Sequence, residues 1–181
     1  MKPPPPCWKP RLVRFQPDMP LELPHTSGCL VCGPVNARGF GLKLYVDPAS
    51  GLVETRYVPV IQHVGFEGIV HGGAIASVMD EAMVWTASWH GKRFCVCGEM
   101  TVRFRQSAKI GRALTCRARV DSGRARLVLT SCEAIDESGA IVASGNGKYV
   151  PLSPAENRAF LDTFIRSPET EAAAQIFRAG A

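Results

Sequence analysis

Residues 67–90 read "EGIVHGGAIASVMDEAMVWTASWH". Between Gly72-Gly73 and Gly91 the stretch is almost wholly apolar or small, long enough for about five helical turns. On a helical wheel Ile75, Val78, Met79, Ala82, Trp85 and Trp89 share one face, a stripe wide enough to pack on a sheet. Ala76, Met83, Val84 and Ala87 lie opposite, with Asp80 among them. A helix apolar nearly all round is covered on both sides. One cover is the sheet, and a second subunit is the expected other. Two adjacent carboxylates interrupt this helix. Asp80 is expected to point away from the sheet, and Glu81 lies about 100° round from it, beside Ser77.

The flanking chain supplies the sheet. Before the helix, "FGLKLYVDPASGLVETRYVP" holds two extended runs around an Asp-Pro-Ala-Ser-Gly turn, a hairpin signal. After it come "RFCVCGEMTVRFRQ" and "RALTCRARVDSG", the second alternating Leu114, Cys116, Ala118 and Val120 against polar neighbours. "RARLVLTSCEAIDESG" and "AIVASGNGKYVPL" then join through a turn-forming Asp-Glu-Ser-Gly. Hairpin, one long helix and a strand meander predict an α+β domain whose antiparallel sheet curls around the helix.

Residues 1–24 carry eight of the fourteen prolines and no apolar period, so they read as an extended arm. Trp8, Leu12, Val13 and Phe15 give that arm groups with which to dock. Residues 25–152 form the domain. Residues 153–181 form a helical tail, opened by Ser-Pro-x-x-Glu and broken at Pro168. The net charge of +5, from 21 basic and 16 acidic residues, includes no dense basic run, so nucleic acid is not an expected partner. No apolar run reaches the roughly 20 residues of a membrane span. Seven cysteines, an odd number, and no signal-peptide pattern at the N-terminus predict free thiols and a cytoplasmic location.

A carboxylate in a desolvated site resists ionisation unless it is hydrogen-bonded. Such a group serves as general base or nucleophile near neutral pH, although structural networks also hold buried carboxylates. The helix start bears on the choice. In "GIVHGG" the first helical N–H groups have no partner within the helix, and the glycines let a carbonyl oxygen approach the backbone. This makes a site for a developing oxyanion. Asp80 lies roughly 13 Å along the axis from His71, too far for one helix to hold the same small group at both places. Two antiparallel helices from paired subunits would bring one copy's glycines to the other's Asp80.

On "CLVCGPVNARGFGLKL", "GIVHGGAIASVMDEAM" and "GEMTVRFRQSAKIG", residues 28–152 resemble the PaaI-type hotdog-fold thioesterases of the 4-hydroxybenzoyl-CoA thioesterase superfamily. The resemblance implies a hotdog fold, a curved antiparallel sheet of five or six strands around one long central helix. It implies a homodimer or a dimer of dimers (a homotetramer) with acyl-CoA sites at the subunit interface. The implied activity is acyl-CoA thioester hydrolysis to a free acid and coenzyme A, without cofactor. Asp80 matches the helix carboxylate that activates water or attacks the thioester. Gly72, with Gly73 beside it, matches the backbone donor, and His71 the histidine of the motif. Cys97 stands where Ser or Thr is frequent, and Gly65 where Asn or Gln is frequent, with Gln62 and His63 nearby. Ser107 replaces a usual Pro. Glu81 remains the second carboxylate candidate.

Arg103, Arg105 and Lys109 are candidates for the phosphates of coenzyme A; Arg103 and Arg105 are two apart and share a sheet face. Solvated edge charges would read the same way. Cys29-x-x-Cys32 has the spacing of a zinc or redox pair. No second pair accompanies it and His25 is the only near neighbour, so two packed thiols and no metal are expected. Two other functions share the fold pattern. One is a non-catalytic acyl-CoA-binding hotdog subunit. The other is a hotdog dehydratase acting on acyl thioesters, with His63 or His71 as base.

Overall fold

The computed structural model describes residues 20–180. Cys7 and the apolar residues Trp8, Leu12, Val13 and Phe15 of the arm lie outside them. The hairpin is β2 (Leu44–Val46) and β3 (Val53–Tyr57). Its turn closes through the Asp47 carboxylate, which accepts from the Ala49 N–H, and through Gly51 at φ +71°. A short ribbon follows, β4 (Val64–Phe66) with β5 (Ile69–Val70), leading directly into α1 (Gly72–Gly91). The meander is β6 (Cys95–Phe104), β7 (Leu114–Arg124), β8 (Leu127–Asp136) and β9 (Ile141–Pro151).

The main sheet is antiparallel and has seven strands, not five or six. The additional strand is β1 (Leu21–Glu22), inside the stretch read as an arm, and it pairs with β2. Leu23 explains it: its N–H donates to Leu44 O and its side chain is wholly buried, so burial of one leucine draws the chain onto the sheet edge. The strand order is β1-β2-β3-β7-β8-β9-β6, which leaves β6 as a ten-residue open edge.

Helix α1 lies against β3, β6, β7, β8 and β9. Ile75, Val78, Met79, Ala82, Trp85 and Trp89 are buried as their spacing predicts. Met83 and Ala87, read as facing a second subunit, are fully buried by the chain itself. Two segments reach the far side of the helix. The loop before β2 brings Cys29 to Glu81. After β9, α2 (Pro154–Leu161) and α3 (Glu171–Ala179) bring Phe160, Phe164 and Phe177 into an aromatic cluster with Trp85, Trp89 and Phe94. Both tryptophans are therefore core.

Strand β6 carries a bulge between Cys97 and Glu99. Inner-facing positions of β9, Ala143, Gly145, Gly147 and Tyr149, pair with Phe104, Val102, Met100 and Cys97. The glycines make room on this face. A Cβ on Gly145 would stand 3.1 Å from Met79 Cε, and one on Gly147 would collide with the Tyr149 ring.

Candidate active site

The helix start is held by its own cap. His71 Nδ1 accepts the Gly73 N–H at 2.9 Å, and the His71 N–H donates to His63 O. The cap occupies one of the two candidate oxyanion donors. The Gly72 N–H, at the first helical position, has no partner among the described residues. The Phe104 ring lies over Gly72, where an added Cβ would stand 3.0 Å from Cζ. Gly72, His71, Gly65, Phe66, Ile69, Phe104 and Arg105 line a cleft of about 460 Å³ together with the 106–108 loop. Its apolar walls are accessible: Phe66 is 82% exposed and Phe104 is 49% exposed.

Asp80 is half-buried further along α1. It does not simply turn from the sheet: the Tyr149 hydroxyl of β9 donates to its Oδ1 at 2.6 Å. The phenol is pushed far above its usual range by burial and then by the Asp80 carboxylate, so Tyr149 remains a proton donor. Cys97 on β6 is the third member of the group. Its thiol is raised by burial and by Asp80. A half-buried carboxylate gripped by one buried donor, with a weak donor beside it, is equipped to take a proton from water.

These two half-sites occupy opposite ends of β6, Cys97 beside Asp80 and Phe104 over Gly72. Asp80 does not line the Gly72 cleft. Gly65 packs on His71, where a Cβ would stand 3.0 Å from His71 Cα, so the turn has little room for a longer side chain. His63 is committed elsewhere: its Nδ1 accepts the Val60 N–H at 3.3 Å and pairs with the Tyr57 hydroxyl at 2.8 Å. Arg105 borders the cleft, whereas Lys109 lines a neighbouring hollow with Arg112 and Glu137. Arg103 alternates with the inward Phe104 and so stands on the outer sheet face.

Glu81 belongs to a different group from Asp80. Its Oε1 accepts the Trp85 indole N–H at 2.9 Å, and the Cys29 thiol lies 3.7–3.8 Å from its oxygens. Burial, then the nearby Cys29, pushes the Glu81 carboxyl up to about 7. Cys29 is lowered to about 5, chiefly by a hydrogen bond from Cys32, with backbone N–H donors of Cys32 and Val31 assisting against burial. Cys32 is raised by the same partnership and by burial.

Tyr149 is absent from the sequence-based candidates. The signal for it is positional: two small residues, Gly145 and Gly147, precede it at the alternation of a strand's inner face.

Comparison with known proteins agrees with this architecture. The thioesterase superfamily model matches residues 67–143, from the approach to α1 into β9. No curated protein matches the sequence. Among solved structures, Escherichia coli PaaI, from the phenylacetic acid degradation operon, aligns with a TM-score of 0.58 at 21% identity, over 63% of this chain and 81% of that one. A conserved Pseudomonas aeruginosa protein gives 0.56 at 28% identity, over 62% and 90%. A Streptococcus mutans protein bound to acetyl-CoA gives 0.55 at 17% identity, over 57% and 83%. The fold is the hotdog fold, and the resemblance to PaaI-type thioesterases is borne out.

Proposed function

We propose that this chain hydrolyses an acyl-CoA thioester at a site shared by two copies paired along β6. The observation that carries the reading is the division of labour on that open strand. A carboxylate held by Tyr149 stands at one end, and an unpartnered N–H in an accessible apolar cleft stands at the other. Antiparallel pairing of two β6 edges, centred near Met100–Thr101, would set Asp80 and Cys97 of one copy against Gly72 and Phe104 of the other. No helix of the described residues is long and apolar enough to cross a membrane, and six of the cysteines are free, in keeping with a reducing cytoplasm. Val96, Leu127, Leu129 and Val150 are exposed on the outer sheet face, which supports stacking of two dimers.

In this reading Asp80 takes a proton from water as the water oxygen attacks the thioester carbon, or attacks that carbon itself. The carbonyl electron pair moves to oxygen and meets the Gly72 N–H, made more effective by the positive end of α1. Collapse re-forms the carbonyl and expels the coenzyme A thiolate, a good leaving group that requires no metal at this step. Where Asp80 itself attacks, water then hydrolyses the acyl–Asp80 anhydride to release the free acid and restore the carboxylate. Arg105, at the cleft mouth, suits a phosphate of coenzyme A. The acetyl-CoA bound by the Streptococcus mutans relative supports the substrate class.

Release of free thiol from a panel of acyl-CoAs tests the proposal. Asp80→Asn should lower kcat by about 100-fold or more while substrate still binds. Equal hydrolysis by wild type and variant would remove Asp80 from the mechanism. The Gly65 turn, which offers no polar side chain to the cleft, favours one second reading: a non-catalytic acyl-CoA-binding subunit. Binding without hydrolysis by the wild type would support it. A dehydratase is less favoured, because His63 and His71 each spend Nδ1 on holding the loop before α1.

A further inference from the structure

The loop before β2 and the far side of α1 form a second centre. Cys29, Cys32 and Glu81 come from positions far apart in sequence, yet one donor atom from each lies within 4.8 Å of the others. We propose that these three side chains bind a divalent cation of the zinc class, fastening the loop before β2 to the helix that carries Asp80.

Three features of the geometry support this. First, the separations suit a shared ion. Zinc bonds of about 2.3 Å to sulfur and about 2.1 Å to oxygen, at a tetrahedral angle, place those two ligands about 3.6 Å apart. Cys29 Sγ lies 3.7 Å and 3.8 Å from the two Glu81 oxygens. Second, the loop is folded as a knuckle around the first sulfur. The Val31 and Cys32 N–H groups both point at Cys29 Sγ, at 3.3 Å and 3.4 Å, an arrangement that stabilises a metal-bound thiolate. The turn tolerates only glycine at the next position, since a Cβ on Gly33 would sit 2.4 Å from Cys29 O. Asn36 Nδ2 donates to Gly28 O and secures the same turn. Third, the carboxylate is already oriented by the Trp85 indole N–H, the outer-shell support that metal ligands require.

The thiol pair has a zinc-like spacing but alone supplies too few ligands, which is why the sequence by itself predicts no metal. The fold adds the third from α1. Two thiols with a carboxylate suit zinc better than magnesium or calcium, which take oxygen ligands throughout. Cys29 is partly exposed, so the ion has an entry path and solvent can complete its coordination. The cation's role here is structural, and its binding is independent of thioester hydrolysis.

The test uses the full chain, purified under reducing conditions, freed of metal with a chelator and titrated with Zn(II). One Zn(II) should bind per chain and raise Tm by about 4 °C or more. Co(II) in its place should give the near-ultraviolet absorption of thiolate ligation. Cys29→Ser and Cys32→Ser should abolish that absorption, Glu81→Gln should weaken Zn(II) binding by about tenfold or more, and Cys97→Ser should leave both signals intact. The proposal is overturned if wild-type Tm ignores Zn(II), or if the Co(II) signal survives in the double cysteine variant. A Cys29–Cys32 disulfide that persists through purification under reducing conditions would likewise overturn it in favour of a redox pair.

Discussion

The Tyr149 hydroxyl donates a 2.6 Å hydrogen bond to Asp80 Oδ1, joining the innermost face of β9 to the first of the two adjacent carboxylates of α1. Tyr149 is fully buried, and Gly147 gives its ring the room to reach. The donor end of this bond is fully buried, so the phenol has no water to turn to in place of the carboxylate.

Tyr149→Phe keeps the ring packing and deletes only this donor. Bonds to charged groups contribute about 1.5–3 kcal/mol, so kcat should fall roughly 10- to 100-fold with KM little changed. Steady-state thiol release reads both constants. A variant with wild-type kcat would show that the Asp80 orientation comes from elsewhere.

Cys97 offers a pH probe of the same group. Its thiol is raised by burial and by Asp80, so at a given pH less of it is thiolate than in a free cysteine. Alkylation by iodoacetamide should be slower at pH 7 than that of a free cysteine, and should accelerate only at a higher pH than a free thiol requires. Asp80→Asn removes the negative neighbour, lowers the thiol and should speed labelling at fixed pH. Mass spectrometry of the Cys97 peptide measures it; identical rates in both proteins would contradict the contact.

Subunit complementation tests the shared site. Gly72→Val drives a branched side chain into Phe104 and over the free N–H, so it should be inactive alone, as should Asp80→Asn. Unfolded and refolded together, the two form heterodimers with one intact site. Activity should return to roughly a quarter of wild type. No recovery, with heterodimers demonstrated by mass, would place the whole site within one chain.

Phe177→Ala should show what fixes the far cover of α1. Its ring centroid lies 4.9 Å from Phe94, 5.7 Å from Trp89 and 5.8 Å from Trp85. Truncation should cost about 3–5 kcal/mol by denaturant titration. Phe66→Ala, at an exposed wall of the cleft, should change stability by less than about 0.5 kcal/mol but raise KM.

The features legible in the sequence were those carried by local pattern. The buried face of α1, the hairpin turn at Asp47–Gly51 and the alternation of β7 are short-range periodicities, and they predict the elements found. The spacing of Asp80 from His71 likewise placed the two half-sites apart. Long-range register was not legible. Tyr149 meets Asp80 only because β9 aligns as it does with α1 and β6. Glu81 meets Cys29 only once the loop folds back over the helix, and β1 forms because Leu23 finds a buried place. The choice between Gly72 and Gly73 as free donor needed the His71 side chain, which occupies one of the two N–H groups.

The bulge in β6 has a bearing on how this chain can vary. On a regular strand, residues with the separation of Cys97 and Phe104 face opposite ways. The extra residue at the bulge reverses that parity, so both turn toward α1. Excision of Gly98 would leave Asp80, Tyr149, Cys97 and Phe104 in the sequence and still force a choice between the two ends of the proposed site. Natural length variation should therefore be tolerated in the turns that join the strands and excluded from the ten residues of this one edge.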